Sequence, residues 1–257
     1  IGMIIAIVAG IAAGAVWGVI PGVLKAASGA HEVITTIMLN YLALRVASYA
    51  VNSAYDYLPV NPNLQASNPV RPANELPNLL SGTRLHAGII LAVVAAFLLW
   101  WLLFRSSYGY KVRTVGISPG AAAYGGINWK KTIIIAMAIS GGLAGLVGTS
   151  ETLGLQGRFY NVSPGYGYTA IAVGLVGRNN PIGVIAAGLL FGVLRAGATQ
   201  MQNTAGVSKE IVQVLQGLVI LAVAASAYVQ MQREKRAAAQ RATASPPPAA
   251  ATVGAES

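Results

Sequence analysis

The residues able to do chemistry in this chain are few, and their spacing narrows them further. His31, Glu32 and the residues after them open like a zinc-protease helix, but that site needs a second histidine one turn on, and Thr35 stands there. The chain has two histidines, His31 and His86, and no cysteine, so a histidine cluster, a thiolate metal site and a cysteine nucleophile all lack their parts. No Gly-Lys pair occurs, which removes the phosphate-binding loop whose backbone amides and lysine hold a nucleotide. No covalent chemistry is expected. What remains is a set of polar and aromatic groups suited to touching a solute or a partner.

The first set lies in "EVITTIMLNYLALR". Glu32, Thr36 and Asn40 recur every four residues and share one helical face, with Thr35 and Tyr41 beside them. In an apolar helix such side chains turn inward, to line a path or to hydrogen-bond a neighbouring helix. A stripe with no cavity behind Thr36 and Asn40 would favour a scaffold that transports nothing. Arg45 sits deeper, where a cation costs about 2.5–3.5 kcal/mol at a span centre, so it faces a wet interior or snorkels outward. The second set is Tyr166, Tyr168 and Asn179, at the mouth and the break of an interrupted apolar stretch. The tyrosine faces could stack on a flat or ring-shaped solute or sit at the interface, while Asn179 and Asn180 offer amides or simply make the turn. Glu151 reads as an interfacial residue.

The third set is "RSSYGYKVRTVGISPGAAAYGGINWKKT", residues 105–132, with five basic residues and no acidic one. Ser118 before Pro119 is a helix start, since the serine oxygen accepts an orphan N–H and proline loses no needed bond at the first position. Residues 119–124 continue the helix, and Gly125-Gly126 can end it in a left-handed conformation. Two turns are too few to be stable alone in water, so flanks or a partner must hold them. A capped helix in a connection that could be a few residues long reads as a docking element; the alternative is a passive helix at the lipid headgroups.

The elements that must position these groups are membrane spans. The 257 residues are 55% hydrophobic and 9% charged, against about 25% charged in an average soluble domain, and the mean hydropathy is +0.61. Apolar segments of spanning length fall near 3–20, 33–51, 85–104, 132–150 and 211–229. A sixth region, 168–196, is broken by "RNNP" into two pieces that read as a re-entrant hairpin or two short spans. The net charge of +10 collects beside apolar spans, so it reports topology and not a nucleic-acid surface. Arg105, Lys111, Arg113, Lys130 and Lys131, with Arg233, Lys235, Arg236 and Arg241 in the tail, place loop 105–131 and the C-terminus in the cytoplasm. The stretch 52–84 balances its charges and reads as irregular structure outside the membrane. The fold class is therefore an all-α integral membrane protein: a polytopic bundle with a broken or re-entrant helix pair and a short cytoplasmic coupling helix. Residues 1–230 form the transmembrane domain and 231–257 a low-complexity, disordered tail. Small residues at four-residue spacing, Gly10, Gly14 and Gly18, then Gly141 and Gly145, then Gly188 and Gly192, predict close helix packing.

"HEVITTIMLNYLA" (31–43), "SPGAAAYGGI" (118–127) and "GYTAIAVGLVGRNNPIGV" (167–184), in this order, resemble the permease subunits of bacterial ABC importers. The likeness is greatest to the nucleoside and simple-sugar group, relatives of the branched-chain amino-acid permeases, and it covers the chain to about residue 230. The resemblance implies an inner-membrane permease that imports a nucleoside or related small solute and is not itself an enzyme. It implies two permease subunits around the path, cytoplasmic ATPases that use ATP and Mg, no cofactor on this chain, and an external binding protein or lipoprotein. It also implies further spans ahead of 3–20, an N-terminally truncated domain in this sequence. By the same resemblance, Ser118, Pro119, Ala121, Ala122, Tyr124, Gly125, Gly126 and Ile127 form the ATPase-coupling helix; Thr36, Asn40, Tyr41, Tyr166, Tyr168 and Asn179 are, by their residue types and positions, the candidates for the substrate path. The alternative is an ion-coupled secondary transporter, which wants membrane-embedded carboxylates or an inverted repeat.

Overall fold

A computed structural model describes residues 2–52, 67, 69–71, 74–79, 85–159 and 165–205, with isolated helical positions at 211, 214, 217, 218, 221 and 225. Most of 52–84, most of the segment expected at 211–229 and the tail 231–257 lie outside the described residues. The elements are α1 (Gly2–Ser28), α2 (Glu32–Asn52), α3 (Gly88–Arg105), α4 (Ser107–Ile117), α5 (Pro119–Tyr124), α6 (Trp129–Glu151), a π-helical turn at Thr152–Gln156, α7 (Tyr166–Val176) and α8 (Pro181–Ala205). Among the described residues, five helical stretches are long and apolar enough to cross a membrane: Gly2–Ser28, Glu32–Ala50, Gly88–Arg105, Trp129–Gln156 and Pro181–Gln202. The protein is a polytopic helical membrane protein.

Two boundaries differ from the sequence expectation. The first span runs through Pro21 to Ser28, because a proline removes one hydrogen bond and a membrane helix tolerates that where a neighbour supports it. Pro21 and Gly22 are buried, and Gly22 lies against the Ile134 and Met137 region of α6. The helix stops where Gly29 takes φ +69° and its N–H returns to the Lys25 carbonyl at 3.0 Å. The second difference is the broken region. Its first half, α7, has 11 residues, about 16 Å long, while its second half, α8, has 25 residues, about 38 Å, against a hydrocarbon core of about 30 Å. The break therefore separates a half-length helix from a full span, not two short ones.

The chain divides into two compact units, Ile1–Gly167 and Tyr168–Ser257. The first is organised by the pairing of α1 with α6. Gly10, Gly14 and Gly18 of α1 meet Gly141 and Gly145 of α6 so closely that a Cβ on Gly18 would lie 2.5 Å from the Met137 carbonyl oxygen, and one on Gly14 would lie 3.0 Å from the Gly145 nitrogen. Van der Waals packing across such a seam replaces the hydrophobic drive that lipid removes. At the Trp129 end of α6 stand α4 and α5. At its other end, the Leu76 N–H donates to the Leu153 carbonyl at 2.9 Å and that of Val70 to the Gly157 carbonyl at 2.7 Å.

In the second unit the turn between α7 and α8 is tight. Arg178 and Asn179 both take positive φ, 54° and 53°, a region that Asn enters more readily than most residues. A Cβ on Gly177 would lie 2.6 Å from the Val184 nitrogen. Asn180 accepts the Ile182 N–H at 3.0 Å, and Pro181 opens α8, as a proline can at a first helical position.

Candidate functional site

The connection from α3 to α6 is built from two helices, not one. Ser106 ends α3 and caps α4, its hydroxyl accepting from the Gly109 N–H at 3.0 Å. The sequence signal for α4 is the Ser106 cap followed by Tyr108, Val112 and Val115 at i, i+4 and i+7, the residues of one face. Val115 is buried. Tyr108 donates its hydroxyl to the Thr132 carbonyl at 3.1 Å, and burial raises the phenol above its ordinary pKa, so it stays a donor. α4 is thereby tied to the first turn of α6.

α5 spans residues 119–124, as the cap and the glycine pair predict. The Ser118 hydroxyl accepts the Ala121 N–H at 3.2 Å and Pro119 opens the helix. Of the two glycines only Gly126 is left-handed, at φ +74°, while Gly125 has φ −76°. The chain then closes on itself, the Ile127 N–H donating to the Ala122 carbonyl at 2.9 Å, and Asn128 caps α6 by accepting from Lys131 at 3.1 Å. Its flanks hold the short helix. Ala122 is the inward residue, with 0% of its surface exposed, whereas Tyr124 is 97% exposed and Ile117 88%. Arg105, Lys111, Arg113, Lys130 and Lys131 are exposed around them. Two of these cations rest on aromatic rings, Arg113 at 5.3 Å from the Phe104 centroid and Lys130 at 5.6 Å from that of Trp129. The result is a neutral helix with a projecting aromatic ring, framed by positive charge.

The second feature is a cavity of ≈ 470 Å³ between α1, α2 and α6. Thr36 and Asn40 line it from α2, as their shared face predicts, opposite Trp17 of α1 and Ser140 of α6. The polar stripe therefore has a cavity behind it. Its members divide the work. Glu32 pairs with Lys25 across the α1–α2 turn, at helix ends where a carboxylate and an ammonium each suit the local dipole. Thr36 returns its hydroxyl to the Glu32 carbonyl at 2.8 Å. Asn40 keeps its amide for the cavity. Tyr41, one residue on, is 62% exposed and does not line it. Trp17 and Ser140 were not among the sequence candidates; an isolated tryptophan in an apolar span carries no signal until another helix faces it.

Tyr166 donates its hydroxyl to the Glu151 carboxylate at 3.2 Å. Tyr168 and Asn179 belong to the second unit, where Tyr168 is 64% exposed and the Asn179 N–H donates to the Gly174 carbonyl at 2.8 Å within the turn. Among the described residues no group of three His, Cys, Asp or Glu side chains could hold a metal ion.

A family model described as the permease component of branched-chain amino acid transport systems matches residues 1–224. The chain is 38% identical over 229 residues to a guanosine ABC transporter permease protein of Bacillus subtilis, a match covering 86% of this chain and 64% of the relative. It is 34% identical over 237 residues to a nucleoside ABC transporter permease protein of Lactococcus lactis, covering 89% and 65%. To a glucose ABC transporter permease protein of Haloferax volcanii it is 31% identical over 230 residues, covering 86% and 60%. The chain spans just under two thirds of the length of these relatives. No solved structure matches it.

Proposed function

The chain belongs to the permease-component family of branched-chain amino acid transport systems, and from that premise we propose that it is a permease subunit of an ATP-binding-cassette importer. It carries a nucleoside or a related small solute across the bacterial inner membrane. The names of the guanosine and nucleoside permeases favour that solute class, and that of the glucose permease places simple sugars beside it. The energy comes from cytoplasmic ATPase subunits using ATP and Mg; this chain has no Gly-Lys loop of its own for a nucleotide. A second permease subunit completes the path, and an external binding protein or lipoprotein delivers the solute. Loop 105–131 and the C-terminus face the cytoplasm, where the basic residues hold them.

The observation that carries this reading is α5. A six-residue helix, closed at both ends by its own flanks and presenting Tyr124 at 97% exposure, is a rigid knob between two spans, suited to docking in a partner's groove and passing its motion to α6. Ser118, Pro119, Ala121, Ala122, Gly125, Gly126 and Ile127 build and close the knob; Tyr124 is its contact. Thr36 and Asn40 line the path. An ion-coupled mechanism gains little support, because Glu32 and Glu151, the carboxylates in the described helices, stand at a helix end each, one paired with Lys25 and the other accepting from Tyr166.

The test is capture of the ATPase subunits by the membrane-inserted chain, wild type against Tyr124→Asp. Wild type retains the ATPase through purification and the variant loses it, a truncated interface aromatic of this kind costing about 2 kcal/mol or more. Ala122→Glu is the wrong probe, since it buries a charge inside the knob. Equal capture by Tyr124→Asp and wild type would defeat the docking role.

A further inference from the structure

We infer that Trp17 is the ring-stacking wall of the solute path, with Asn40 and Ser140 as its hydrogen-bonding edge, so that the cavity selects an uncharged solute with a flat ring face. This rests on the permease reading above.

The cavity between α1, α2 and α6 has a volume of ≈ 470 Å³, inside the range of about 300–1,000 Å³ typical of small-molecule sites. Three properties of its wall define the occupant. None of its lining residues is ionisable. A charged solute there would meet no counter-charge in a low-dielectric surround, whereas a neutral one loses little. Trp17 is the one aromatic side chain in the lining, where it stands with Ala13, Gly14 and Pro21 of the same helix. An indole face of this kind binds flat rings by stacking. Finally, among the described residues neither the Asn40 amide nor the Ser140 hydroxyl has a side-chain hydrogen bond. Asn40, near the middle of α2, and Ser140 are both exposed, so their polar atoms are open to an occupant of the cavity. Thr36 is different: it satisfies itself on the Glu32 carbonyl. The wall thus offers a stacking face from α1, a donor–acceptor amide from α2 and a hydroxyl from α6, the chemistry that reads the face and the edge of a neutral heterocycle.

The experiment is ATP-driven uptake of radiolabelled guanosine and glucose, at saturating solute, by cells expressing the whole transporter with Trp17→Phe, Trp17→Leu or Asn40→Ala in the full chain. Membrane level, ATPase capture and retention of the second permease are measured alongside. Trp17→Phe stays within about 2-fold of wild type, while Trp17→Leu, similar in bulk but without a ring face, lowers guanosine uptake by about 3- to 10-fold. Asn40→Ala lowers it to a similar extent, with assembly unchanged. Equal uptake by the Phe and Leu variants overturns the stacking role and leaves the permease reading standing. Loss of the second permease from the Trp17→Leu or Asn40→Ala protein also overturns it, because the wall would then be a subunit interface. Failure of wild type to take up either solute, together with no ATPase capture, overturns both.

Discussion

Two glycine stretches with the same four-residue spacing meet different fates in this protein. In α1 and α6, Gly10, Gly14, Gly18, Gly141 and Gly145 bring two backbones into contact, and an added Cβ on any of them collides with the other helix. In α8, Gly188 and Gly192 keep the spacing, yet a Cβ on either meets nothing within 4 Å. The motif by itself permits a close approach; a partner must arrive to use it. The α1–α6 seam is also the floor of the cavity, since Gly14, Gly18, Gly141 and Gly145 line it. Packing seam and cavity wall are therefore one structure in the first unit.

The comparison breaks most visibly at the seam. Gly141→Val places a branched side chain against the backbone of Gly14 and Gly18, a strain of about 3 kcal/mol or more, and the expected outcome is loss of folded protein by size-exclusion chromatography of the detergent extract. A well-folded variant would mean that the two helices can separate without cost. An intermediate effect belongs to Gly177, within the second unit. Gly177→Ala meets the Val184 nitrogen at 2.6 Å, and a small drop in thermal stability, about 1–3 kcal/mol, is expected from forcing the α7–α8 turn open. The smallest effect falls on Gly188→Ala. With open space around it and a helix propensity about 1 kcal/mol better for Ala than Gly, this change should leave stability equal or slightly higher. A loss of assembled transporter with this variant would instead place a neighbouring helix on the α8 groove, and the two motifs would then differ only in whether their partner lies in the same chain.

The α4–α5 connection and the cavity differ in how much of them was legible. The six residues of α5 follow from Ser118, Pro119 and the glycine pair, because capping is a matter of adjacent residues. That α4 precedes it follows from Ser106 and the Tyr108, Val112, Val115 face, a short-range pattern hidden by the basic residues between. The inward burial of Ala122 and the outward thrust of Tyr124 do not follow, since both lie on a helix too short to show a face. The cavity was half legible. Thr36 and Asn40 mark a polar face, but Trp17 and Ser140 come from helices far away in sequence, and no local pattern pairs them.

The sequence by itself determined the membrane class, the spans near 33–51, 85–104 and 132–150, the break at "RNNP" and the limits of α5, because hydropathy, proline, glycine and caps act over a few residues of chain. It also determined that α1 could approach another helix closely. Only the tertiary structure decided that α6 is that helix, that Trp17 faces Asn40 across a cavity, and that α8 continues to full span length beyond the break. Those outcomes depend on which surfaces meet at long range, and the energy of a close approach exists only once both backbones are in place.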